Sequence, residues 1–483
     1  MTTASLDNAP LLERAFDIDV EEHARTPVRV DGTLPAYVHG SFLLNGPARF
    51  RRGNVRYRHW LDGDGMVAAL HVDDGRAHFT NRFVRSAKFT REEAEQRAVF
   101  RTFGTSFAGD ELKRSIGLES PVNVSVYPFG GALLAFGEQG LPWEVDPRTL
   151  DTRGVYTFGG QLNEITPFSA HPKIDHRTGE LFNFGVSFSA QHPALNVFRF
   201  ARDGKLVYRK RHPLPYPSSM HDFAISERFI VFYVSPLILR IDALMQQGAT
   251  LMDALAWQPE RGSRLMILSR DTGDLIGSLD VGNRYCLHLV NAFDRDGRLV
   301  VDVVEFEKPL YPEYQVVPDL FTDTFRGHPV RFVVNPTEPA LVSRCDIAYS
   351  CSPDFPAHDP DVVGLPYDTF WMLGISKAGR PGRKFFDHVV RVDWPTESVE
   401  VYEAPQGSYF GGEPCFVPDP AAPSRRGVVV CQQFDAERVA SSFVVFDAFA
   451  LAQGPIATIP LPTPIPLLFH SAFHPIGDQQ ERA

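Results

Sequence analysis

Cysteine is scarce in this chain, and its spacing matches no metal-binding or redox motif. The 483 residues include five Cys, none of which forms a CxxC pair. An odd number of widely separated cysteines does not favour a disulfide framework, and the spacing does not fit a zinc site. We therefore expect a reducing compartment and a cytoplasmic protein.

Long apolar runs and extended basic clusters are lacking as well. No stretch reaches the roughly 20 apolar residues that a membrane-spanning helix needs. The N-terminal residues lack the basic region and apolar run of a secretory signal, so we expect none. The formal net charge of −11 repels phosphate backbones, which excludes nucleic acid as an expected partner.

The familiar catalytic strings are absent too. The chain contains no GxSxG, no HExxH, no Walker loop and no GxGxxG that opens a helix. Residues 62–65, Asp-Gly-Asp-Gly, resemble the start of a calcium loop, but the EF-hand spacing and its closing Glu are missing. These absences disfavour a serine hydrolase, a zinc peptidase and a nucleotide-dependent enzyme.

What the sequence does contain is a long series of short β-rich runs separated by tight turns. Residues 228–233 and 299–304 are rich in β-branched and aromatic side chains, and turns such as Asp203-Gly204 separate such runs. No stretch resembles a linker, so we predict one all-β domain over residues 30–483 after an N-terminal arm, 1–29. Its shape is a sandwich pair or a propeller, and the irregular turn spacing does not fix a blade count.

Helical patterns are few. Residues 91–98 are predicted to form a helix with Thr90 as its N-cap. A second helix is predicted over residues 242–255. Its apolar residues fall roughly on one face: Leu244, Met245, Leu251, Met252 and Leu255. This stripe indicates a core-facing helix, and the alternative is a peripheral membrane contact around a substrate entrance.

Four of the sixteen histidines stand in or beside apolar runs. They are His171, His221, His288 and His470. One such histidine is usually a hydrogen-bonded core residue, but four are harder to explain that way. Their separations of 50, 67 and 182 residues suit ligands that converge on an axis from separate blades. Spacing alone does not select these four over His59, His78 or His474.

Seven short motifs, taken in order, resemble those of the carotenoid cleavage oxygenases. They are Asn45-Gly46-Pro47, His59-Trp60-Leu61-Asp62-Gly63-Asp64-Gly65-Met66, Ala170-His171-Pro172-Lys173-Ile174-Asp175, Met220-His221-Asp222-Phe223-Ala224-Ile225, His288-Leu289-Val290-Asn291-Ala292-Phe293, Gly412-Glu413-Pro414-Cys415-Phe416-Val417 and Phe469-His470. Each motif alone is weak, but the ordered set is specific and runs from about residue 30 to the C-terminus.

This resemblance implies an all-β fold, a seven-bladed β-propeller with a loop and short-helix cap over the active-site face. It also implies iron(II) on the propeller axis. The implied ligands, which are also the catalytic residues, are His171, His221, His288 and His470. Neutral imidazoles suit divalent iron, and four of them leave coordination positions open for dioxygen.

The family also carries three glutamates that orient ligand imidazoles through the other ring nitrogen. Glu138 and Glu413 match the first and third of these. Asp354 stands at the second position and is one methylene shorter. Its expected hydrogen bond to His288 would need a small backbone shift or a bridging water, and the alternative is a surface or turn residue.

The implied reaction is oxidative cleavage of a C=C double bond in a carotenoid or apocarotenoid to two carbonyl products. Its partners would be dioxygen and an apolar conjugated substrate in a dry tunnel. Stilbene- and phenylpropene-cleaving relatives place a Lys just before the first glutamate, where this chain has Gly137. That difference favours a polyene and leaves a phenolic substrate as the alternative. A hypothesis of another class is a non-catalytic propeller that binds partners, which requires the four histidines to be structural.

Overall fold

Short antiparallel strands make up almost all of the regular structure, and they form seven sheets of four or five strands. The computed structural model describes residues 9–113, 117–189, 191–244, 248–316, 320–423 and 425–475. Strands rich in valine, isoleucine and phenylalanine pack well on neighbouring sheets, which favours this stacking. The architecture is a seven-bladed β-propeller, as the resemblance implied.

Blade 1 closes the ring with strands from both ends of the chain. In sheet order its strands are Thr26–Val28, Arg76–Phe83, Asp64–Asp73, Gly40–Arg49 and His470–Pro475. Asn45 pairs with His470 across the last two of these strands. Asp31–Gly32 adds in a similar way to Pro455–Pro460 of blade 7. The division of the chain into an arm, 1–29, and a domain, 30–483, stays a prediction.

In the other six blades the strands follow one another along the chain from the axis outward, except that the outermost strand of blade 7 is Asp31–Gly32. Blade 2 consists of Ser125–Phe129, Ala132–Phe136, Trp143–Val145 and Thr152–Val155. Blade 3 consists of Lys173–Asp175, Glu180–Ser187, Ala194–Phe200 and Leu206–Pro213. Blade 4 consists of Ala224–Ile225, Phe229–Val234, Ser263–Ser269 and Leu275–Gly282. Blade 5 consists of Tyr285–Arg295, Arg298–Phe306, Gly327–Asn335 and Ala340–Asp346.

Blades 6 and 7 complete the ring. Blade 6 consists of Ser352–Ala357, Thr369–Ile375, His388–Asp393 and Ser398–Glu403. Blade 7 consists of Ser408–Pro418, Gly427–Asp435, Ala440–Asp447, Pro455–Pro460 and Asp31–Gly32. Two small ribbons lie outside the blades, Leu237–Leu239 with Leu255–Trp257 and Arg51–Arg52 with Val55–Arg56.

The first predicted helix begins earlier than its sequence pattern indicated. It spans Ala87–Glu95, and its N-cap is Ser86, whose hydroxyl accepts a hydrogen bond from the backbone N–H of Phe89. Thr90 lies inside the helix and is not the cap, so that part of the prediction was wrong. The helix ends at Glu95 and is capped by Gln96, which has a left-handed backbone conformation. Ser86 is the cap because its hydroxyl bonds to a backbone N–H of the first turn that has no partner within the helix.

The second predicted helix is not continuous. In place of a helix over residues 242–255 the chain forms two single turns, Ile241–Leu244 and Leu251–Ala254. Gly248 has a φ of +78°, and Thr250 caps the second turn, so the second turn begins as a separate helical segment. Residues 245–247, which include Met245, lie outside the described residues. Leu244 and Leu251 are buried, as the core-facing interpretation of the stripe requires.

The remaining helical segments are 3-10 turns in the connections between strands. They span Pro10–Phe16, Trp60–Asp62, Pro259–Arg261, Tyr311–Tyr314, Pro360–Val362 and Leu451–Gln453. Among the described residues, no helix has both the length and the apolar character that crossing a bilayer requires. Ala87, Leu251 and Tyr311 line one cavity, so the short helices and loops form a cap over one face of the propeller.

The abundant phenylalanine packs into a large aromatic core centred on Trp60. The Trp60 ring lies 4.3 Å from that of Phe469 and 5.0 Å from that of Phe385, measured between centroids. Its indole N–H donates to the backbone carbonyl of Leu467. Trp60 therefore joins the motif at residues 59–66 to the C-terminal segment that carries His470.

A buried cluster of charges attaches the helix Ala87–Glu95 to blade 1. The Nζ of Lys88 lies 2.7 Å from Oδ1 of Asp64, 2.8 Å from Oε2 of Glu92 and 3.0 Å from the hydroxyl of Tyr57. Arg52 also donates to Asp64. Lys88 is 0% exposed, so its partners have no access to water that could replace it.

We predict that Lys88→Met lowers the free energy of unfolding by about 3–5 kcal/mol, because it removes one of the two cations from buried Asp64 and leaves Glu92 with only a distant one, Arg52. Urea unfolding followed by intrinsic fluorescence measures this change. Arg91→Met is the matched control on the same helix. Arg91 is 42% exposed and pairs with surface carboxylates, so its replacement should change stability little. Equal stability of Lys88→Met and the wild type would contradict the account of this cluster.

Candidate metal centre

The four histidines identified in the sequence lie at corresponding ends of four inner strands. His171 and His221 come just before the inner strands of blades 3 and 4. His288 lies near the start of the inner strand of blade 5, and His470 begins that of blade 1. Inner strands of a propeller surround its axis, so side chains at corresponding strand ends meet near one point.

All four rings converge at the axis. Each ring offers one nitrogen to a group in which all these nitrogens lie within 4.8 Å of one another, and all four residues are buried. The Nε2 atoms of His171 and His221 are 2.9 Å apart. The ring centroids of His171 and His470 are 4.5 Å apart. His59, His78 and His474 do not belong to this group.

The hydrogen bonds of these rings do not match those of ordinary core histidines. In the part of the chain that the structure describes, none of the four rings bonds to a backbone carbonyl. The Nε2 of His288 is buried and has no hydrogen-bond partner. A buried nitrogen without a partner, directed toward three other imidazoles, fits a bound cation better than a packing role. The donor set therefore suits a divalent transition metal.

Two of the rings are held by a carboxylate at the opposite ring nitrogen. Oε1 of Glu138 lies 2.8 Å from Nδ1 of His221, and Oδ1 of Asp354 lies 2.6 Å from Nδ1 of His288. A carboxylate at Nδ1 keeps the proton on that atom, so the lone pair of Nε2 faces the axis. Both rings are thus held in the tautomer that can bind a metal.

The third carboxylate makes a looser contact. Oε2 of Glu413 lies 3.5 Å from Nδ1 of His470, and this nitrogen has no hydrogen bond. The same oxygen accepts a long 3.4 Å bond from the backbone N–H of Ser471. No carboxylate of the described residues lies within 4.0 Å of the His171 ring. The carboxylates therefore support the four rings unequally.

Asp354 contacts His288 directly, although its side chain is shorter than that of a glutamate. The strand Ser352–Ala357 has a register irregularity between Asp354 and Ala357. Phe355, next in the chain, has a φ of +54°, a left-handed conformation that is strained for this residue type. With the backbone in this irregular conformation, Oδ1 of Asp354 lies 2.6 Å from Nδ1 of His288, so no bridging water is needed. Asp354 is 1% exposed, which excludes the surface-residue alternative.

The electrostatics of the site keep His171 uncharged. Burial and the neighbouring imidazoles lower the pKa of His171 well below its usual value. Burial acts in the same direction on His288, but the Asp354 carboxylate outweighs it and raises the pKa of that ring. Burial acts to raise the pKa of Asp354, yet His288 outweighs it and the net pKa is lowered. The Asp354 carboxylate therefore makes the His288 ring more basic than that of His171, which strengthens it as a metal ligand.

A cavity of about 410 Å³ lies under the cap, and a smaller one of about 170 Å³ is lined by the rings of His171, His288 and His470. None of the four histidines lines the larger cavity, which Glu138 and Tyr311 connect to the metal centre. Glu138 and Tyr311, which both contact His221, form part of the wall of this larger cavity. Its apolar lining includes Phe103, Leu141, Phe168, Met220, Leu251 and Leu255. A cavity of this size and lining suits an apolar small molecule that reaches the metal centre from the His221 side.

Gly137, which precedes Glu138, has no room for a side chain. A Cβ atom placed there would lie 2.1 Å from Oγ of Ser120 and 3.1 Å from the backbone of Val122. The hydroxyl of Ser120 thus occupies the space that a side chain at position 137 would need. A lysine at this position would require Ser120 to move.

Three residues of the site were not identified from the sequence as part of it. They are His59, Tyr311 and Tyr314. Nε2 of His59 donates to the backbone carbonyl of Tyr311, and the Tyr314 hydroxyl donates to Oδ2 of Asp354. His59 belongs to one of the seven motifs, which was the one signal available. The two tyrosines lie outside those motifs.

Comparison with known proteins decides the family. The family model described as retinal pigment epithelial membrane protein, RPE65, matches residues 16–475. The chain belongs to the RPE65 family of carotenoid cleavage oxygenases. The family that the sequence motifs indicated is thereby confirmed.

Two curated relatives of similar identity carry different substrates in their names. The chain is 29% identical over 462 residues to the apocarotenoid-15,15'-oxygenase of Synechocystis, with 92% of each chain covered. It is also 29% identical over 472 residues to the isoeugenol monooxygenase of Pseudomonas nitroreducens, with 93% of this chain and 94% of the relative covered. Sequence identity alone does not choose between these two substrates.

A solved structure of a similar protein supports the fold. Cobalt-substituted Synechocystis ACO superimposes with a TM-score of 0.87 at 25% identity, covering 97% of this chain and 99% of that chain. That protein, which shares this fold, therefore accepts cobalt in place of its own metal. Cobalt(II) is a suitable probe for the four-histidine centre of the present family member.

We predict that His470→Ala abolishes tight cobalt(II) binding, because it removes one of four imidazoles. Metal content after desalting of the cobalt-loaded protein measures this loss. His474→Ala is the matched control, since His474 lies on the same strand and outside the four-ring group. It should retain one cobalt per chain. One retained equivalent of cobalt in His470→Ala would contradict its assignment as a ligand.

We predict that Asp354→Asn weakens cobalt(II) binding by about 100-fold and Glu413→Gln by about tenfold. The order follows from the contacts, because Asp354 lies 2.6 Å from its imidazole and Glu413 lies 3.5 Å from its own. Competition with a chromophoric chelator gives both affinities. A larger loss in Glu413→Gln than in Asp354→Asn would show that these distances do not govern the contribution of each carboxylate.

Proposed function

We propose that this protein is an iron(II)-dependent dioxygenase that cleaves a C=C double bond of a carotenoid or apocarotenoid to two carbonyl products. The observation that carries the proposal is the group of four buried imidazoles, together with a cavity under the cap whose wall includes the His221 partners Glu138 and Tyr311. A binding propeller has no need for four converging ring nitrogens, one of which is buried without a partner. This combination favours catalysis over the non-catalytic alternative.

We propose His171, His221, His288 and His470 as the iron ligands. Neutral nitrogen donors suit borderline divalent metals, and four of them leave positions for further ligands. When bound, ferrous iron supplies the redox chemistry by which dioxygen reacts with an alkene. Both oxygen atoms end in the two carbonyl products, so the balance requires no organic reductant.

The protein's own groups provide orientation and a dry environment. Glu138 and Asp354 hold the Nδ1 protons of His221 and His288, so that Nε2 of each ring stays available. The apolar side chains of the cavity wall keep water away from a conjugated chain bound under the cap, with Glu138 and Tyr311 between it and His221. The aromatic core around Trp60 keeps the supporting loops rigid next to the site.

The lining of the cavity favours a polyene over a phenol. A phenol would be recognised by a cation, and at position 137 the chain has Gly, next to a tightly packed Ser120. Lys113 also lines the cavity, but its ammonium group lies 2.9 Å from Oε1 of Glu119, which neutralises it. A substrate without acidic groups therefore fits this wall better.

The second candidate is cleavage of a stilbene or phenylpropene. The specific observation in its favour is the isoeugenol monooxygenase relative, which is as similar to this chain as the apocarotenoid oxygenase. Isoeugenol is a phenylpropene. This candidate would require the phenol oxygen to bind a group other than a lysine at position 137.

A cytoplasmic location and a peripheral membrane contact around the substrate entrance belong to the same proposal. An apolar polyene partitions into lipid, so an enzyme that uses it benefits from access to the bilayer surface. Exposed Ile165 lies beside the cavity and offers an apolar contact there.

We predict that the iron-loaded protein consumes dioxygen with an apocarotenal and gives two carbonyl products. With ¹⁸O₂, each product should gain one labelled oxygen, as read by mass spectrometry under conditions that limit carbonyl exchange. The iron-treated His470→Ala variant serves as the control and should be inactive. Cleavage of 4-hydroxystilbene or isoeugenol without cleavage of apocarotenals would reverse the order of the two candidates. Absence of dioxygen uptake with all three compounds would favour the non-catalytic alternative.

A further inference from the structure

The 3-10 turn Tyr311–Tyr314 presents two phenols to the metal centre. In a 3-10 helix, with three residues per turn, side chains at i and i+3 lie on the same face. The hydroxyl of Tyr314 donates to Oδ2 of Asp354 at 2.7 Å. The hydroxyl of Tyr311 lies 3.3 Å from Nδ1 of His221. One turn of the cap therefore contacts two of the three imidazole–carboxylate pairs.

The Tyr314 hydroxyl completes the hydrogen bonding of Asp354. Oδ1 of Asp354 accepts from Nδ1 of His288 and from the backbone N–H of Phe355 at 2.9 Å. Without Tyr314, Oδ2 would be buried with no partner, and rotation of the carboxylate would become less costly. Glu138 shows the contrasting case, because its Oε2 is buried and has no hydrogen-bond partner. The Asp354 carboxylate is thus held at both oxygens.

The turn is itself fixed in place. Nε2 of His59 donates to the backbone carbonyl of Tyr311 at 2.9 Å. The Tyr314 ring packs edge-on against Trp60 at 5.5 Å and against Phe321 at 5.2 Å, measured between centroids. These contacts hold the phenol in one orientation, so its hydroxyl acts as a rigid donor toward Asp354.

We propose that Tyr314 is a positioning residue for the metal. By holding Asp354 it fixes the ring of His288, and this ring then directs its Nε2 at the ion. The inference rests on the proposed function in one respect, that the four imidazoles bind a metal. The inference goes further in one way: a residue of the cap, Tyr314, helps to hold a metal ligand in place.

Tyr314→Phe tests this proposal, since it removes the hydroxyl and keeps the ring. Cobalt(II) is added to the metal-free full-length protein, and its visible d–d spectrum is recorded. Release of cobalt to excess EDTA is then followed with time. We expect release to be about tenfold faster in Tyr314→Phe, with a shifted d–d band, because His288 is less firmly held. A thermal unfolding curve recorded in parallel reports on the folding of each variant.

Tyr233→Phe is the matched control. The Tyr233 hydroxyl also donates to a buried carboxylate, that of Glu305, at 2.7 Å, but it does not contact any of the four rings. This variant should keep the wild-type spectrum and release rate. A second measurement uses Asp354→Asn, in which Tyr314→Phe should cause no further acceleration, because the tyrosine acts through the carboxylate.

The outcomes separate this inference from the proposed function. A wild-type protein that binds no cobalt would remove the basis of the proposed function. A wild type that binds cobalt, with Tyr314→Phe identical to it in spectrum and release rate, would overturn the inference alone. Equal acceleration in Tyr314→Phe and Tyr233→Phe would also overturn it, because the effect would then be general destabilisation. An undiminished effect of Tyr314→Phe in the Asp354→Asn background would exclude action through Asp354.

Discussion

The convergence of four imidazoles on the propeller axis depends on closure of the ring of blades. His470 enters the group through the last described strand, which pairs with Gly40–Arg49 so that Asn45 and His470 are opposite each other. The same closure places Trp60 against Phe469. Loss of the C-terminal strand would therefore remove one imidazole and loosen the packing around the other three. In this protein, a complete metal centre therefore requires a closed propeller.

Around the axis, charge and packing act together to make four ring nitrogens face one space. Carboxylates hold protons at the outer nitrogens of two rings, and buried aromatic side chains keep water away from the inner ones. The arrangement is unequal, because Asp354 is firmly held while Glu413 makes a long contact with its ring. The four imidazoles are therefore not held equally firmly. His288 is held most firmly, because its partner Asp354 also bonds to Tyr314 of the cap.

The sequence was informative where the signal is local or where an ordered set of motifs is involved. Turn residues and β-rich runs indicated an all-β fold, and the motifs indicated the blade number, which turn spacing alone did not. The same motifs singled out four histidines that the structure brings together from separate blades. Asp354 was identified as well, although its direct contact depends on a strained backbone at Phe355 that no sequence pattern shows.

Other features required three-dimensional information. Tyr314 and Asp354 are 40 residues apart, and their contact depends on how a cap loop folds over blade 6. The helix Ala87–Glu95 was predicted to begin at residue 91, because the charged residues that follow gave the helical pattern. Its actual cap, Ser86, precedes them. The predicted helix over residues 242–255 was wrong because Gly248 has a left-handed backbone and Thr250 caps a new turn, and both interrupt the helix. Local pattern gives the type of element, while caps and long-range contacts set its limits.

The most direct test of the account is a crystal structure of the iron-loaded protein, with anomalous data collected on both sides of the iron edge. The account predicts one iron peak per chain, within bonding distance of Nε2 of His171, His221, His288 and His470. A peak elsewhere, or four rings in these positions with no iron between them in protein shown to contain iron, would contradict it.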